Sequence, residues 1–166
     1  MSVPALLAAF TATTYRVSTP DGICNLRVGA PQPAFDAALS AWQAGSSLAA
    51  NCGRTAVDWA IITAFNPGMP LAEQENVQRQ ARLQADIEQR GWAYWPACNL
   101  ADDGCWPDEA SFLLLQVAES EVVALARQFG QVALLVGRQG GAPRLLWVDD
   151  DAAAFCRQAD DAAQGE

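Results

Sequence analysis

Val57-Asp58-Trp59-Ala60-Ile61-Ile62-Thr63-Ala64-Phe65-Asn66-Pro67 is the stretch from which the fold reads outward. Its apolar residues run together instead of alternating. That leaves no solvated face and predicts a strand over 57–65, buried on both sides and central in the sheet. Asn66-Pro67-Gly68 closes the strand with turn chemistry. Beyond it, Leu71 to Arg90 has helical spacing with Val77, Leu83 and Ile87 as the apolar anchors, and Gly91 ends it. A strand over Trp92–Cys98, a polar loop over Asn99–Gly104 and a very apolar strand over Phe112–Val117 follow. The next helix places Val122, Leu125, Ala126 and Phe129 on one face before Gly130. Strands over Val132–Val136 and Arg144–Val148 then flank the hairpin loop Gln139-Gly140-Gly141-Ala142-Pro143.

Upstream, Thr14–Ser18 and Ile23–Val28 read as a hairpin around Thr19-Pro20-Asp21-Gly22, where proline presets φ and glycine accepts a positive one. Pro33 opens a helix with Phe35, Ala38, Leu39 and Trp42 on one face, and Gly45 closes it. Ser46 to Thr55 reads as loop. The order ββαβαββαββα, with two hairpins at unequal spacing, predicts an α+β fold. It is a single globular domain over residues 1–148, with a mixed or largely antiparallel sheet and helices packed on it. Residues 149–166 are expected to form an acidic C-terminal helix or tail.

Composition removes several function classes. The 166 residues carry ten Arg, no Lys and no His against nineteen acids, a formal net charge of −9. Without histidine there is no Ser/His/Asp or Cys/His nucleophile arrangement and no usual zinc ligand. Without a clustered basic footprint, duplex nucleic acid is not an expected partner. Cys24, Cys52, Cys98, Cys105 and Cys156 are odd in number and irregular in spacing, which argues against a secreted disulfide framework. The Pro4–Phe10 apolar run lacks a basic region before it, and no run approaches the roughly 20 apolar residues of a membrane span. The expectation is a cytoplasmic protein with reduced thiols and no metal or cofactor. Neither a GxGxxG nor a GxxxxGK[ST] loop is present.

Four segments set polar side chains among strongly apolar neighbours. Thr63 and Asn66 sit at the exit of the central strand, where Asn66 either makes an Asx-type turn or meets a ligand. Asn76 falls on the core side of its helix, so its amide is satisfied either by the Asn66 loop or by a bound molecule. In Trp106-Pro107-Asp108-Glu109-Ala110-Ser111-Phe112, alternation puts Glu109 and Ser111 on one side and Phe112 and Leu114 on the other. Glu109 beside indole rings is a candidate general acid or base with a raised pKa; the alternative is an ion pair with Arg79 or Arg82, or a cap. Trp92, Tyr94, Trp95 and Trp106 form either core or the wall of a pocket for a planar ligand. Gln131 reaches the Asn66 neighbourhood or satisfies a sheet edge.

Taken in order, Tyr15, Thr63–Pro67, Glu75-Asn76, Trp106–Phe112 and Phe129–Ala133 resemble a bacterial family catalogued only as a domain of unknown function. Its marks are a tyrosine-bearing first strand and the motifs T-A-[WF]-N-P, E-N, W-P-x-E-x-S-F and F-G-Q, spread here over residues 14–148. Phe65 stands for the more usual tryptophan, and Val132 stands where a polar residue is common. The resemblance leaves Thr63, Asn66, Asn76, Glu109, Ser111 and Gln131 intact and implies a location without a reaction. Two functions follow as expectations. One is a small-molecule-binding domain for a nucleotide- or amide-like ligand, held by Thr63, Asn66, Asn76, Trp106, Ser111 and Gln131, with Glu109 available for hydrolytic or transfer chemistry. The other is an acidic interaction module that docks a protein partner through its tail.

Overall fold

A computed structural model describes residues 2–46, 56–67 and 69–148. The elements run α1 (Val3–Thr11), β1 (Thr13–Thr19), β2 (Gly22–Leu26), α2 (Pro33–Gly45), β3 (Asp58–Ile62), α3 (Glu73–Gln89), β4 (Ala93–Ala101), β5 (Glu109–Leu115), α4 (Glu119–Gln128), β6 (Ala133–Arg138) and β7 (Arg144–Trp147). The strands form one seven-stranded sheet in the order β2-β1-β4-β5-β3-β6-β7, with antiparallel neighbours throughout. This is the expected single-domain α+β fold, with the sheet antiparallel instead of mixed. The proposed C-terminal helix or tail over 149–166 and most of the Ser46–Thr55 loop lie outside the described residues.

The doubly apolar reading of β3 has a direct counterpart in the two cores. Ala60 and Ile62 face one core with Leu83 and Ile87 of α3 and Val122, Leu125 and Ala126 of α4. Trp59 and Ile61 face the other with Phe35, Ala38 and Leu39 of α2. β5 divides in the same way, Phe112 and Leu114 to the first core and Leu113 and Leu115 to the second. A strand with apolar side chains on both sides suits a sheet covered by helices on both faces, and β3 lies between β5 and β6.

Three sequence expectations are corrected. Val77 is no anchor of α3: it is 55% exposed, and the buried face of that helix is Asn76, Gln80, Leu83 and Ile87. The helical spacing holds: Asn76 faces inward as expected, and the carboxamide of Gln80 takes the place expected for Val77. β4 continues through Asn99 to Ala101, because β1 and β5 supply ladder partners on both sides. β3 ends at Ile62 instead of running on to Phe65, because β5 and β6 supply ladder partners only that far. The Pro4–Phe10 run belongs to helix α1, for which no expectation had been set and in which no residue is buried.

Gly137 packs closely against Trp59 of the second core. A Cβ there would stand 2.7 Å from Cε2 of Trp59, a ring packed edge-on against Phe35 at 5.3 Å. Gly137→Ala should therefore destabilise the protein by about 1–3 kcal/mol through overpacking, measured as a lower urea midpoint with an unchanged m-value. Wild-type stability would mean that the Trp59 ring moves freely.

Candidate functional site

Where β3 leaves the sheet, its backbone loses ladder partners while still inside the protein. A buried N–H or C=O left unpaired costs about 1–3 kcal/mol. Side chains from several elements fill each vacancy. Ala64 N–H donates to Gln80 Oε1 (2.9 Å), and the Arg79 guanidinium donates to Ala64 O (2.8 Å) and to Phe129 O (2.5 Å). Phe65 N–H donates to Thr63 Oγ1 (3.1 Å), and Gln131 Nε2 donates to Phe65 O (2.9 Å). Asn66 N–H donates to Asn76 Oδ1 (2.9 Å). Gly130, at φ +69, lets the Phe129-Gly130-Gln131 turn press on this segment; a Cβ there would meet Pro67 Cβ at 2.8 Å.

Asn66 itself adopts φ 44, a left-handed conformation that asparagine tolerates better than most residues. Its Oδ1 accepts from Leu71 N (3.0 Å) and Asn76 Nδ2 (2.9 Å), so it ties the loop to a backbone N–H five residues on, and the two asparagines form an amide pair. With Oδ1 held on that side, Nδ2 points to Glu109 and donates to its Oε1 at 2.5 Å. Arg79 is taken by the two carbonyls, and among the described residues Glu109 makes no ion pair with it or with Arg82.

Glu109 lies at one end of a polar row that crosses three strands. Asn99 of β4 is the register partner of both Tyr15 in β1 and Glu109 in β5. Further along the same face the side chains turn apolar, with Val17, Trp95 and Leu113 in the α2 core. The polar row therefore continues the hydrophobic face past the reach of α2. Helix α1 covers it instead, with Phe10 edge-on to Trp147 at 5.9 Å. Between helix and sheet is a cavity of about 240 Å³. Its polar lining includes Thr13, Tyr15, Thr63, Asn66, Asn99, Glu109 and Gln131; Leu6, Phe10, Phe65 and Trp106 are among the apolar walls.

Of the residues singled out in the sequence, Thr63, Asn66, Trp106, Glu109 and Gln131 thus border one hollow. Asn76 and Ser111 do not. Asn76 stands behind Asn66, and Ser111, 2% exposed, donates to Asn99 Oδ1 at 3.0 Å. Trp95 belongs to the α2 core, and Trp92 and Tyr94 pack on the opposite one. Thr13, Asn99 and the α1 side chains were missed. Asn99 reads as loop in the sequence, and the polar side chain of α1, Thr11, spends its hydroxyl proton on Leu7 O.

Burial pushes the Glu109 carboxyl above its ordinary value, and the Asn66 amide pulls the other way. Burial also raises Tyr15 far above the usual phenol range; Thr13 opposes this and the nearby Glu109 adds to it, so the phenol keeps its proton. Its hydroxyl donates to Phe10 O at 3.2 Å.

Residues 62–134, somewhat less than half of the chain, match the model of a family described as "Protein of unknown function (DUF3293)". This agrees with the resemblance read from the motifs. The match includes every singled-out residue from Thr63 to Gln131, whereas Tyr15 and α1 lie outside it. No curated protein and no solved structure matches the chain. Among the described residues no helix is long and apolar enough to cross a membrane.

Two predictions follow from the hydrogen bonding and the burial. Asn76→Ala removes the acceptor for Asn66 N–H and should cost about 1–3 kcal/mol in chemical denaturation; an unchanged midpoint would show that water replaces it freely. For Glu109, a raised folded pKa stabilises the fold below the ordinary value of 4.5 and loses that contribution as pH rises through the folded value. Glu109→Gln should therefore melt above wild type at pH 7 to 8, with the gap closing below pH 4.5. A gap that is the same at every pH would contradict the burial of this charge.

Proposed function

We propose that the protein is a small-molecule-binding domain whose ligand seats between α1 and the polar end of the sheet. The supporting observation is that Thr63, Asn66, Trp106, Glu109 and Gln131, far apart in sequence, border one cavity that combines apolar walls with a few convergent polar groups. Its volume, about 240 Å³, suits a single ring or a short amide better than a dinucleotide. Among the described residues no arginine lines it, which favours a nucleobase- or amide-like group over a phosphate.

Glu109 is the acid/base group of this site. A carboxyl with a raised pKa, anchored by Asn66, suits proton transfer to or from a ligand or a water, the step that hydrolytic or transfer chemistry requires. Thr63, Asn76 and Ser111 act as supports: they hold Asn66, Asn99 and the strand exit in place.

A fragment screen by thermal shift tests the binding reading. A ligand at a hundred times its dissociation constant stabilises by about 2.7 kcal/mol. The control is Leu6→Trp, which fills the cavity from a half-buried position on α1, a helix with no fully buried residue. The expected outcome is a fragment whose shift disappears in that variant while the free proteins melt alike. Shifts that persist in Leu6→Trp would place binding elsewhere and remove the proposal.

A further inference from the structure

The hydroxyl protons around this cavity are already spent. Thr13 donates to Ala9 O (2.7 Å), Tyr15 to Phe10 O (3.2 Å) and Thr63 to Ala110 O (2.7 Å). Three of the lining residues that alternate easily between donor and acceptor therefore turn lone pairs, not protons, towards a guest. The carboxamides of Asn66 and Gln131 each spend one of their two N–H donors, on Glu109 and on Phe65 O. Asn99 differs, since its oxygen is the committed atom, accepting from Ser111.

The charges are equally one-sided. Among the described residues Glu109 is the one carboxylic acid in the lining, and no arginine there balances it. Among the described residues its sole hydrogen-bond partner is Asn66, on Oε1, which leaves Oε2 without one. A half-buried carboxylate with one oxygen unspent gains from a cation that also donates hydrogen bonds, because charge-assisted bonds are the strong ones and the surroundings screen poorly. The rings of Phe10, Tyr15, Phe65 and Trp106 border the same space, and aromatic rings attract cations at their faces. The net charge of −9 favours the approach of the same class of ligand.

We infer that the ligand of this cavity carries a small planar cationic head group of the amidine or guanidine kind, which donates to Glu109 and lies among the aromatic rings. This rests on the small-molecule reading above and adds its charge and hydrogen-bonding sense. A planar cation with paired N–H groups meets a carboxylate edge-on, and its flat body matches a hollow of about 240 Å³.

Benzamidine, benzamide and benzoate share one shape and differ in charge, so they separate the terms. By titration calorimetry at pH 7.5, benzamidine should bind at least about tenfold tighter than benzamide, and benzoate should not bind. Glu109→Gln should abolish that preference while retaining benzamide, and Leu6→Trp should weaken every probe that wild type binds. Benzamidine held equally by wild type and Glu109→Gln would be pairing with surface acids and overturns the inference. Benzamide or benzoate binding as tightly as benzamidine, and lost in Leu6→Trp, overturns the charge preference and leaves the small-molecule reading standing. Silence from all three probes also overturns it, and the fragment screen then decides the broader reading separately.

Discussion

The architecture around the cavity depends on how the chain leaves the sheet after Ile62. A strand that ends in solvent can leave its last backbone groups to water, but this one ends inside the molecule. The five donors and acceptors from Ala64 N–H to Asn66 N–H are taken by Gln80, Arg79, Thr63, Gln131 and Asn76. Helix α3 and the Phe129-Gly130-Gln131 turn converge there because one short length of backbone would otherwise be buried unpaired. The left-handed conformation of Asn66 is one product of that arrangement, and its aim at Glu109 is another.

Polarity is then distributed unevenly over one face of the sheet. Under α2 the face is apolar and closed. Beyond α2 the row Tyr15, Asn99 and Glu109 continues the same pleat, where α1 covers it without filling it. A hydrophobic sheet face that turns polar at one end has two stable outcomes, exposure to water or a roof over an internal polar patch. Here the roof is an apolar helix whose own residues are all at least partly exposed, and the space beneath it is the cavity.

Much of this was legible in the chain. The doubly apolar 57–65 stretch announced an interior strand with helices on both sides, and the alternation in 109–115 separated Glu109 and Ser111 from Phe112 and Leu114. Asn76 was legible as a core-facing amide, and its partner proved to be the Asn66 loop. The carboxamide face of α3 was less so: periodicity marks which positions face inward, and Val77 looked the more natural occupant than Gln80. Asn99 was misread because polar residues resemble a loop when the flanking strands that would pair with them are unknown.

The sequence by itself determined the class of fold, the interior strand, the exclusion of histidine-based chemistry and the identity of most residues at the strand exit. These rest on side-chain periodicity and composition, which are local properties of the chain. Tertiary structure alone decided which residues face the cavity and which stand behind them, that Arg79 serves backbone carbonyls instead of Glu109, and that α1 forms the roof. Those outcomes depend on strand order and cross-strand register, which bring Tyr15, Asn99 and Glu109 side by side across three strands far apart in the chain.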